Sequence, residues 1–356
     1  MRIPSLALAA AALATMACSP GRSAAQQGQA PASVRTVGLD PAGLERALAD
    51  AAALPRLNSI IVARDGRVLA ERSLDGQSLD RPVNIKSASK SVLSALAGVA
   101  VGRGILRVDQ PVLPLLGPRV PADPDPRLRE LTVDHLLSMR AGLRSTSGPN
   151  YGRWASSPDW VRAALAQPFV EEPGGRMIYS TGTSHILSAV LSQAAGRSTL
   201  DLARDWLGEP LGITIPSWPA DPQGIYFGGN DMRLSPRALL RFGELYRRDG
   251  VVDGRRLLPE GWVRTSWTPR GTSPWTGARY GYGWWITEAR GHPVYFAWGY
   301  GGQMVYVVPD LGLTAVMTSD DDARGVDGHV QALHAILIDR LVPAAERGAE
   351  AQAARA

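Results

Sequence analysis

The chain has 356 residues, of which 45% are hydrophobic and 20% charged, a balance typical of a globular protein. Its net charge of +5 comes from arginines scattered along the sequence, so the clustered basic surface of a nucleic-acid-binding protein is not expected. Cys18 is the only cysteine, which excludes intramolecular disulfides, cysteine-cluster metal sites and a cysteine nucleophile in the mature domain. The five histidines lack metal-ligand spacing, so neither a zinc site nor another cofactor is predicted.

The first 25 residues predict a signal peptide, because one arginine precedes an apolar run too short to span a bilayer and small residues follow. Cleavage after Ala25 would release an exported protein, either periplasmic or secreted. Lipidation of Cys18 is the alternative and would anchor the protein to a membrane. Residues 26–42, rich in Gln, Ala, Pro and Ser, predict a flexible leader, and no later segment resembles a membrane span.

Apolar periodicity and turn residues predict the elements that follow. In chain order they are a helix over 41–53, strands over 59–63 and 68–71 joined by an Asp-Gly turn, helices that begin at 87 and 132, helices over 183–195 and 236–248, strands over 282–287, 294–298, 304–308 and 313–318, and a helix over 330–341. The tail over residues 344–356 is predicted to be disordered.

Strands thus cluster near the two ends of the chain, and helices lie between them. This order predicts an α/β (α+β) fold in which an antiparallel sheet, built from both chain ends, is flanked by helices and carries an inserted, mostly helical region. We expect one domain over residues 43–343 to contain all of these elements.

Ser87 and Lys90 are the strongest catalytic candidates, because residues three apart on a helix share a face and the hydroxyl and the amine can meet. A serine hydroxyl needs a base to become a nucleophile. Lysine can serve when burial lowers its pKa, whereas arginine stays protonated. The first turn of a helix also offers free backbone N–H groups to a developing oxyanion. The chain contains only one other lysine, Lys86, without an evident role, and a chance match of the pattern is the alternative.

Two further segments carry weaker signals. Tyr179 would lose its proton more easily beside the Lys90 ammonium and could relay it to a leaving group, or it is a core tyrosine. The glycines within residues 298–303 permit close backbone approach, so a strand-edge N–H there could complete an oxyanion hole. A tight hairpin turn is the alternative for that segment.

Residues 141–160 predict a polar loop that contains several aromatic side chains. Tyr151, Trp154 and Trp160 could line an apolar cleft there. The alternative is that these aromatics pack the loop down onto the domain.

Several runs of the chain together resemble the serine β-lactamase and penicillin-binding-protein superfamily, specifically its class C-like branch of esterases, carboxypeptidases and nylon-oligomer (6-aminohexanoate-dimer) hydrolases. The resemblance covers nearly all of the mature chain. The runs are Asn84–Ser91, Leu131–Leu143, Pro173–Gly175 with Tyr179–Gly182, Glu209–Ile213, Leu234–Arg237 with Arg241–Gly243, and Tyr280–Trp285.

This resemblance implies a β-lactamase/transpeptidase-like fold with Ser87 as nucleophile, Lys90 as its base and Tyr179 as the proton relay. It also implies that the backbone N–H groups of Ser87 and Tyr300 form the oxyanion hole. The candidate substrate-binding residues are Thr181, Tyr151, Trp154, Trp298 and Gly301.

The chain departs from the family pattern at two positions. Thr181 stands where the tyrosine motif commonly ends in Asn, and Trp298 stands where a Lys or His commonly precedes Thr-Gly. Without that cation, a substrate carboxylate of a β-lactam or a peptide C-terminus lacks a partner. The sequence therefore predicts a serine hydrolase of small esters or linear amides.

Two rival functions remain open at this point. One is a class C-type β-lactamase or D-alanyl-D-alanine carboxypeptidase, and the other is a non-catalytic binding module on the same fold. An α/β-hydrolase is excluded, because the chain contains no Gly-x-Ser-x-Gly elbow. The expected partner is a small-molecule substrate, and the sequence does not predict an oligomeric state.

We expect Ser87→Ala to abolish hydrolysis of a p-nitrophenyl acyl ester while the circular dichroism spectrum stays unchanged. Lys90→Arg should be nearly as damaging, because it keeps the positive charge but removes the base. Near-full activity of Lys90→Arg would show that the role assigned to Lys90 is wrong.

Overall fold

The computed structural model describes residues 38–320 and 328–353; the predicted signal peptide, Cys18 and leader residues 26–37 lie outside them. The β-strands of the described chain are β1 (Leu57–Arg64), β2 (Arg67–Ser73), β3 (Val83–Asn84), β4 (Arg233–Leu234), β5 (Val251–Val252), β6 (Arg255–Arg256), β7 (Gly271–Thr272), β8 (Arg279–Tyr280), β9 (Trp285–Ala289), β10 (His292–Gly299), β11 (Gln303–Val308) and β12 (Leu313–Ser319).

Eight of these strands form one sheet in the order β2-β1-β12-β11-β10-β9-β8-β7, and all neighbouring pairs are antiparallel. The early and late parts of the chain meet at β1 and β12, where Ile61 lies opposite Val316. The prediction of an antiparallel sheet built from both chain ends is therefore confirmed.

The helices lie in three parts of the described chain: one precedes β1, most stand between β2 and β7, and the last two follow β12. They are α1 (Pro41–Ala52), α2 (Ser89–Gly102), α3 (Leu113–Leu116), α4 (Val133–Leu137), α5 (Tyr151–Ala155), α6 (Trp160–Leu165), α7 (Thr181–Ala195), α8 (Thr199–Ala203), α9 (Glu209–Leu211), α10 (Pro236–Arg247), α11 (Trp262–Ser266), α12 (His329–Ala335) and α13 (Val342–Ala353). The predicted helical insertion is thus present, and only the short pairs β3–β4 and β5–β6 interrupt it. None of the described helices combines the length and hydropathy needed to cross a bilayer.

The sheet separates two hydrophobic cores, because successive side chains of a strand point to opposite faces. In β1, Ile60 and Val62 enter a core shared with α1, α12 and α13. Ile61 and Ala63 enter the other core, which contains the apolar residues of α2, α7 and α10. Both faces of β1 are therefore buried, and this explains its nearly continuous apolar sequence.

The predicted Asp-Gly turn joins β1 to β2. Asp65 and Gly66 both have positive φ, +50° and +81°, as a two-residue hairpin turn that follows the strand twist requires. This local signal was therefore sufficient to predict the hairpin.

The structure corrects the predicted disordered tail, because residues 342–353 form α13. Ala344 and Ala345 are fully buried, and the Asp40 N–H donates to the Ala344 carbonyl at 2.9 Å. A Cβ added at Gly43 of α1 would lie 2.6 Å from the Ala344 Cβ, so glycine and alanine permit this close helix packing. Alanine favours helix, and the packing against α1 supplies the stability that an isolated tail lacks.

Two other boundaries also differ from the predictions. The predicted leader ends at residue 42, but α1 begins at Pro41, which confirms the helix predicted over 41–53, and Asp40 caps it by accepting the Gly43 N–H at 3.1 Å. The predicted loop over 141–160 contains a 3₁₀ turn, Gly148–Asn150, and the short helix α5. The first difference follows from a side-chain cap and the second from aromatic packing described below.

We expect Gly98→Ala in α2 to destabilise the protein relative to Gly152→Ala in α5. A Cβ at Gly98 would lie 2.4 Å from the buried Trp262 indole, whereas one at Gly152 would meet nothing within 4 Å. The difference in free energy of unfolding should be about 1–3 kcal/mol, measured by urea denaturation. Equal stabilities of the two variants would show that α2 is not held closely against Trp262.

Candidate active site

Ser87 lies in a 3₁₀ turn, Lys86–Ala88, that continues directly into α2. Lys90 occupies the first turn of α2, so its side chain shares a face with Ser87. Lys90 Nζ donates a hydrogen bond to Ser87 Oγ at 3.1 Å and another to the Gly229 carbonyl oxygen at 2.7 Å. The structure therefore brings together the two side chains of the Ser-x-x-Lys pattern.

Burial controls the charge of the Lys90 amine. The residue is 3% exposed, and desolvation lowers the pKa of Lys90 to about 7, while the Asp231 carboxylate acts in the opposite direction. An amine with this pKa is substantially neutral near pH 7. Neutral Lys90 is the form that can accept a proton from a hydroxyl.

The Gly229 carbonyl and Asp231 are features of this site that sequence analysis missed. Asp231 accepts a hydrogen bond from Asn84 Nδ2 at 2.8 Å and lies 3.9 Å from Lys86 Nζ. Lys86 adopts a positive φ of +48°, and its N–H donates to Asn84 Oδ1 at 2.9 Å. The sequence analysis assigned no role to Lys86. In the structure, its contacts with Asn84 and Asp231 connect the 3₁₀ turn to the 229–231 segment. The glycine pair at 228 and 229 was the available signal, since glycines permit close backbone approach.

Tyr179 precedes α7 and faces the Ser87–Lys90 pair. Its ring centroid lies 4.9 Å from Lys90 Nζ. The ring also stacks on Trp285 with centroids 5.6 Å apart. Desolvation raises the pKa of Tyr179 above its usual value, so the expected lowering by a lysine ammonium is wrong. Tyr179 is therefore a protonated phenol at neutral pH.

The loop at residues 145–147 holds the segment that carries Tyr179. Ser145 Oγ donates to the Tyr179 carbonyl at 2.6 Å. Ser147 Oγ accepts the Thr181 N–H at 2.9 Å and shares a hydrogen bond with the Thr181 hydroxyl at 2.9 Å. Thr181 is buried, so the structure places it within this support and not as an exposed substrate contact.

The glycine-rich segment after β10 forms a tight turn beside the Ser87 region. A Cβ added at Gly299 would lie 2.2 Å from the Ile85 carbonyl oxygen, so only glycine allows β10 to approach this closely. Tyr300 and Gly301 lie in the turn, which a hydrogen bond from the Gly302 N–H to the Gly299 carbonyl closes at 3.1 Å. Tyr300 as a whole residue is 66% exposed.

The aromatic candidates occupy different environments. Trp154 is 3% exposed and belongs to the main core, so it packs the loop and does not line a cleft. Tyr151 is half-buried, and its hydroxyl accepts a hydrogen bond from Asn230 Nδ2 at 3.1 Å, next to the segment that contacts Lys90. Trp298 is also half-buried and packs against Trp285, with ring centroids 5.5 Å apart.

The site as a whole combines a hydroxyl, a buried amine and a phenol at the start of a helix of 14 residues. The amine can accept the hydroxyl proton, and the phenol can donate one. Helix N-terminal N–H groups favour negative charge, which develops on a carbonyl oxygen under nucleophilic attack. Within residues 38–320 and 328–353, no group of three or more His, Cys, Asp and Glu side chains is arranged to hold a metal ion.

We expect the Lys90 ε-carbon to titrate with a midpoint near 7 in NMR spectra of protein labelled with ¹³C-lysine. The chain has only two lysines, so Lys86→Arg assigns the two signals. Asp231→Asn should lower the midpoint, because a nearby negative charge stabilises the ammonium. Asp109→Asn, which removes an exposed carboxylate paired with Arg107, is the control and should leave the Lys90 midpoint unchanged. A Lys90 midpoint at the ordinary value of about 10.4 would contradict this account.

Comparisons with known proteins agree with this fold. The family model described as Beta-lactamase matches residues 44–339. A structure from Bacillus anthracis, assigned by inference as a 6-aminohexanoate-dimer hydrolase, is 17% identical to this chain, with a TM-score of 0.68. The superposed region covers 85% of this chain and 81% of the Bacillus anthracis chain. EstCE1, a hydrolase with promiscuous acyltransferase activity, is 20% identical to this chain, with a TM-score of 0.66. The superposed region covers 83% of this chain and 99% of the EstCE1 chain.

A curated relative adds no activity to this picture. It is an uncharacterized protein of Alkalihalophilus pseudofirmus, 21% identical over 187 residues, or 51% of this chain. The matched part spans about half of that relative, 52% of its length. Because the family model covers most of the sequence, this chain belongs to the beta-lactamase family and has the fold of its serine hydrolases.

Proposed function

We propose that this protein hydrolyses small uncharged esters or linear amides through an acyl-enzyme on Ser87. Lys90 is the base that activates the Ser87 hydroxyl, and Tyr179 relays a proton to the leaving group. The observation that carries the proposal is the 3.1 Å contact between Lys90 Nζ and Ser87 Oγ, made by an amine whose burial lowers its pKa to about 7.

The reaction begins when neutral Lys90 takes the proton of Ser87 Oγ as the oxygen attacks the substrate carbonyl carbon. The carbonyl electron pair moves to its oxygen, which accepts hydrogen bonds from the Ser87 N–H and the Tyr300 N–H. When the C–O or C–N bond breaks, the leaving group takes a proton from Tyr179, which Lys90 replenishes. Water then attacks the acyl-enzyme, with proton transfers in the reverse direction, and releases the acid.

The third motif supports the preference for uncharged substrates. Trp298 stands where relatives commonly place a cation, and its indole N–H is buried without an acceptor among residues 38–320 and 328–353. This position therefore supplies no charge-assisted hydrogen bond to a substrate carboxylate, in contrast to a lysine ammonium. The fold neighbours named as a hydrolase and as a 6-aminohexanoate-dimer hydrolase are consistent with ester or linear-amide chemistry.

The second candidate function is β-lactam hydrolysis or D-alanyl-D-alanine carboxypeptidase activity. Membership of the beta-lactamase family favours it, because the same Ser-Lys-Tyr arrangement would serve either substrate.

We also propose, from the N-terminal sequence alone, that the protein is exported, with lipid attachment at Cys18 as the alternative to cleavage after Ala25.

A substrate panel tests this proposal, with Ser87→Ala as the inactive control. It contains short and long p-nitrophenyl acyl esters, a linear amide oligomer, a chromogenic cephalosporin and a D-Ala-D-Ala peptide. We expect kcat/KM for the best ester to exceed that for the cephalosporin and the peptide by at least about 10-fold, the effect of one missing charge-assisted contact. Comparable rates would favour the second candidate. Failure of a fluorophosphonate probe to label Ser87 would overturn both.

A further inference from the structure

His185 is a buried histidine of α7 that the proposed reaction does not use. Its Nε2 lies 3.0 Å from Asp221 Oδ2, and both side chains are fully buried. Its Nδ1 accepts the Gly228 N–H at 3.2 Å. Since a backbone amide only donates, Nδ1 is the unprotonated nitrogen, and Nε2 carries the proton that it donates to Asp221.

Asp221 is itself fixed by backbone groups. Its Oδ1 accepts the N–H groups of Gln223 and Ile225, at 2.9 Å and 2.8 Å. The carboxylate therefore has one oxygen left to orient the imidazole, and desolvation lowers the pKa of His185 and favours its neutral form. Packing of Trp154, Trp160 and Phe227 around the ring, with centroids 5.3–5.9 Å from it, restricts its rotation.

Gly228 is followed by Gly229, whose carbonyl accepts the hydrogen bond from Lys90 Nζ. The backbone here has no free space around it. A Cβ at Gly228 would lie 2.2 Å from the Ser184 carbonyl oxygen, and one at Gly229 would lie 2.6 Å from Lys90 Cγ. A displacement of the Gly228 amide would therefore move the Gly229 carbonyl relative to the lysine.

We propose that His185, oriented by Asp221, is a positioning residue that holds the Gly228 amide and thereby sets the Gly229 carbonyl against Lys90. The inference rests on the proposed role of Lys90 as the base. After Lys90 takes the serine proton, the Gly229 carbonyl is the acceptor that keeps the new ammonium directed at the site. Loss of the His185 acceptor frees the loop, so Lys90 spends less time within reach of Ser87.

The competing explanation is that His185 only satisfies the buried Asp221 carboxylate. Three variants separate the two explanations by geometry. In His185→Asn, Oδ1 replaces Nδ1 and keeps the acceptor for Gly228 but does not reach Asp221. In His185→Gln, the amide reaches Asp221 but leaves Gly228 without its acceptor. His185→Leu has similar bulk and neither contact.

The experiment measures kcat and KM for the best p-nitrophenyl ester, with circular dichroism and thermal unfolding to establish that each variant is folded at the assay temperature. We expect His185→Asn to keep kcat within about 3-fold, and His185→Gln and His185→Leu to lose about 10-fold or more, with KM changed less than about 3-fold in all three. The proposal would be overturned if His185→Asn and His185→Gln lost kcat equally, or if His185→Gln lost less kcat than His185→Asn. Failure of all three variants to fold would also overturn it, and His185 would then be a residue that only stabilises the fold.

A double-mutant cycle tests whether His185 acts through Lys90. In a Lys90→Ala background, adding His185→Leu should lower the residual acylation rate by less than about 2-fold, because the base it positions is already gone. Multiplicative losses would mean that His185 acts by another route. If Lys90→Ala alone kept full activity, the proposed function would fail instead, so the two failures are distinguishable.

Discussion

The burial of the Lys90 amine is the constraint on which the rest of the site depends. An amine with an ordinary pKa would be charged at neutral pH and could not accept a proton, so it must be kept from water. A buried amine also needs hydrogen-bond partners, because unpaired polar groups are costly in the protein interior. Ser87 Oγ and the Gly229 carbonyl oxygen accept hydrogen bonds from the amine, so both lie within hydrogen-bond distance of Lys90 Nζ.

The fold meets this requirement by bringing three separate parts of the chain onto the start of α2. The end of β10 approaches the Ser87 turn because Gly299 has no side chain. The segment before α7 delivers Tyr179 and is held by hydrogen bonds from the 145–147 loop. The glycine pair at 228 and 229 lies against α7 and Lys90, again because side chains are absent. Close backbone approach thus places two of these three segments, and side-chain hydrogen bonds hold the third.

The fold is shared with the family, whereas the environment of individual side chains follows from contacts within this chain. The beta-lactamase family explains the sheet, the inserted helices and the general class of serine hydrolase. Local contacts add detail that the family does not, such as the hydrogen bond between the Thr181 and Ser147 hydroxyls and the packing of Trp298 against Trp285. Desolvation at Tyr179 keeps the phenol protonated, which suits a donor to a leaving group better than a phenolate.

Local contacts made several features predictable from sequence. The Ser87–Lys90 spacing and the Asp65–Gly66 turn depend on residues within one helical turn or one hairpin, so both can be recognised from neighbouring residues in the sequence. The end of α13 was mispredicted, because its helix is stabilised by packing against α1 near the opposite end of the sequence.

The remaining site features depend on distant contacts. Lys90 and Gly229 are 139 residues apart, and His185 reaches Asp221 across 36 residues. The sequence by itself determined the candidate nucleophile, its base and the sheet that both chain ends build. Only the tertiary structure decided the degree of burial of Lys90, the carbonyl that holds it and the protonation of Tyr179, since each depends on which residues the fold places around a group.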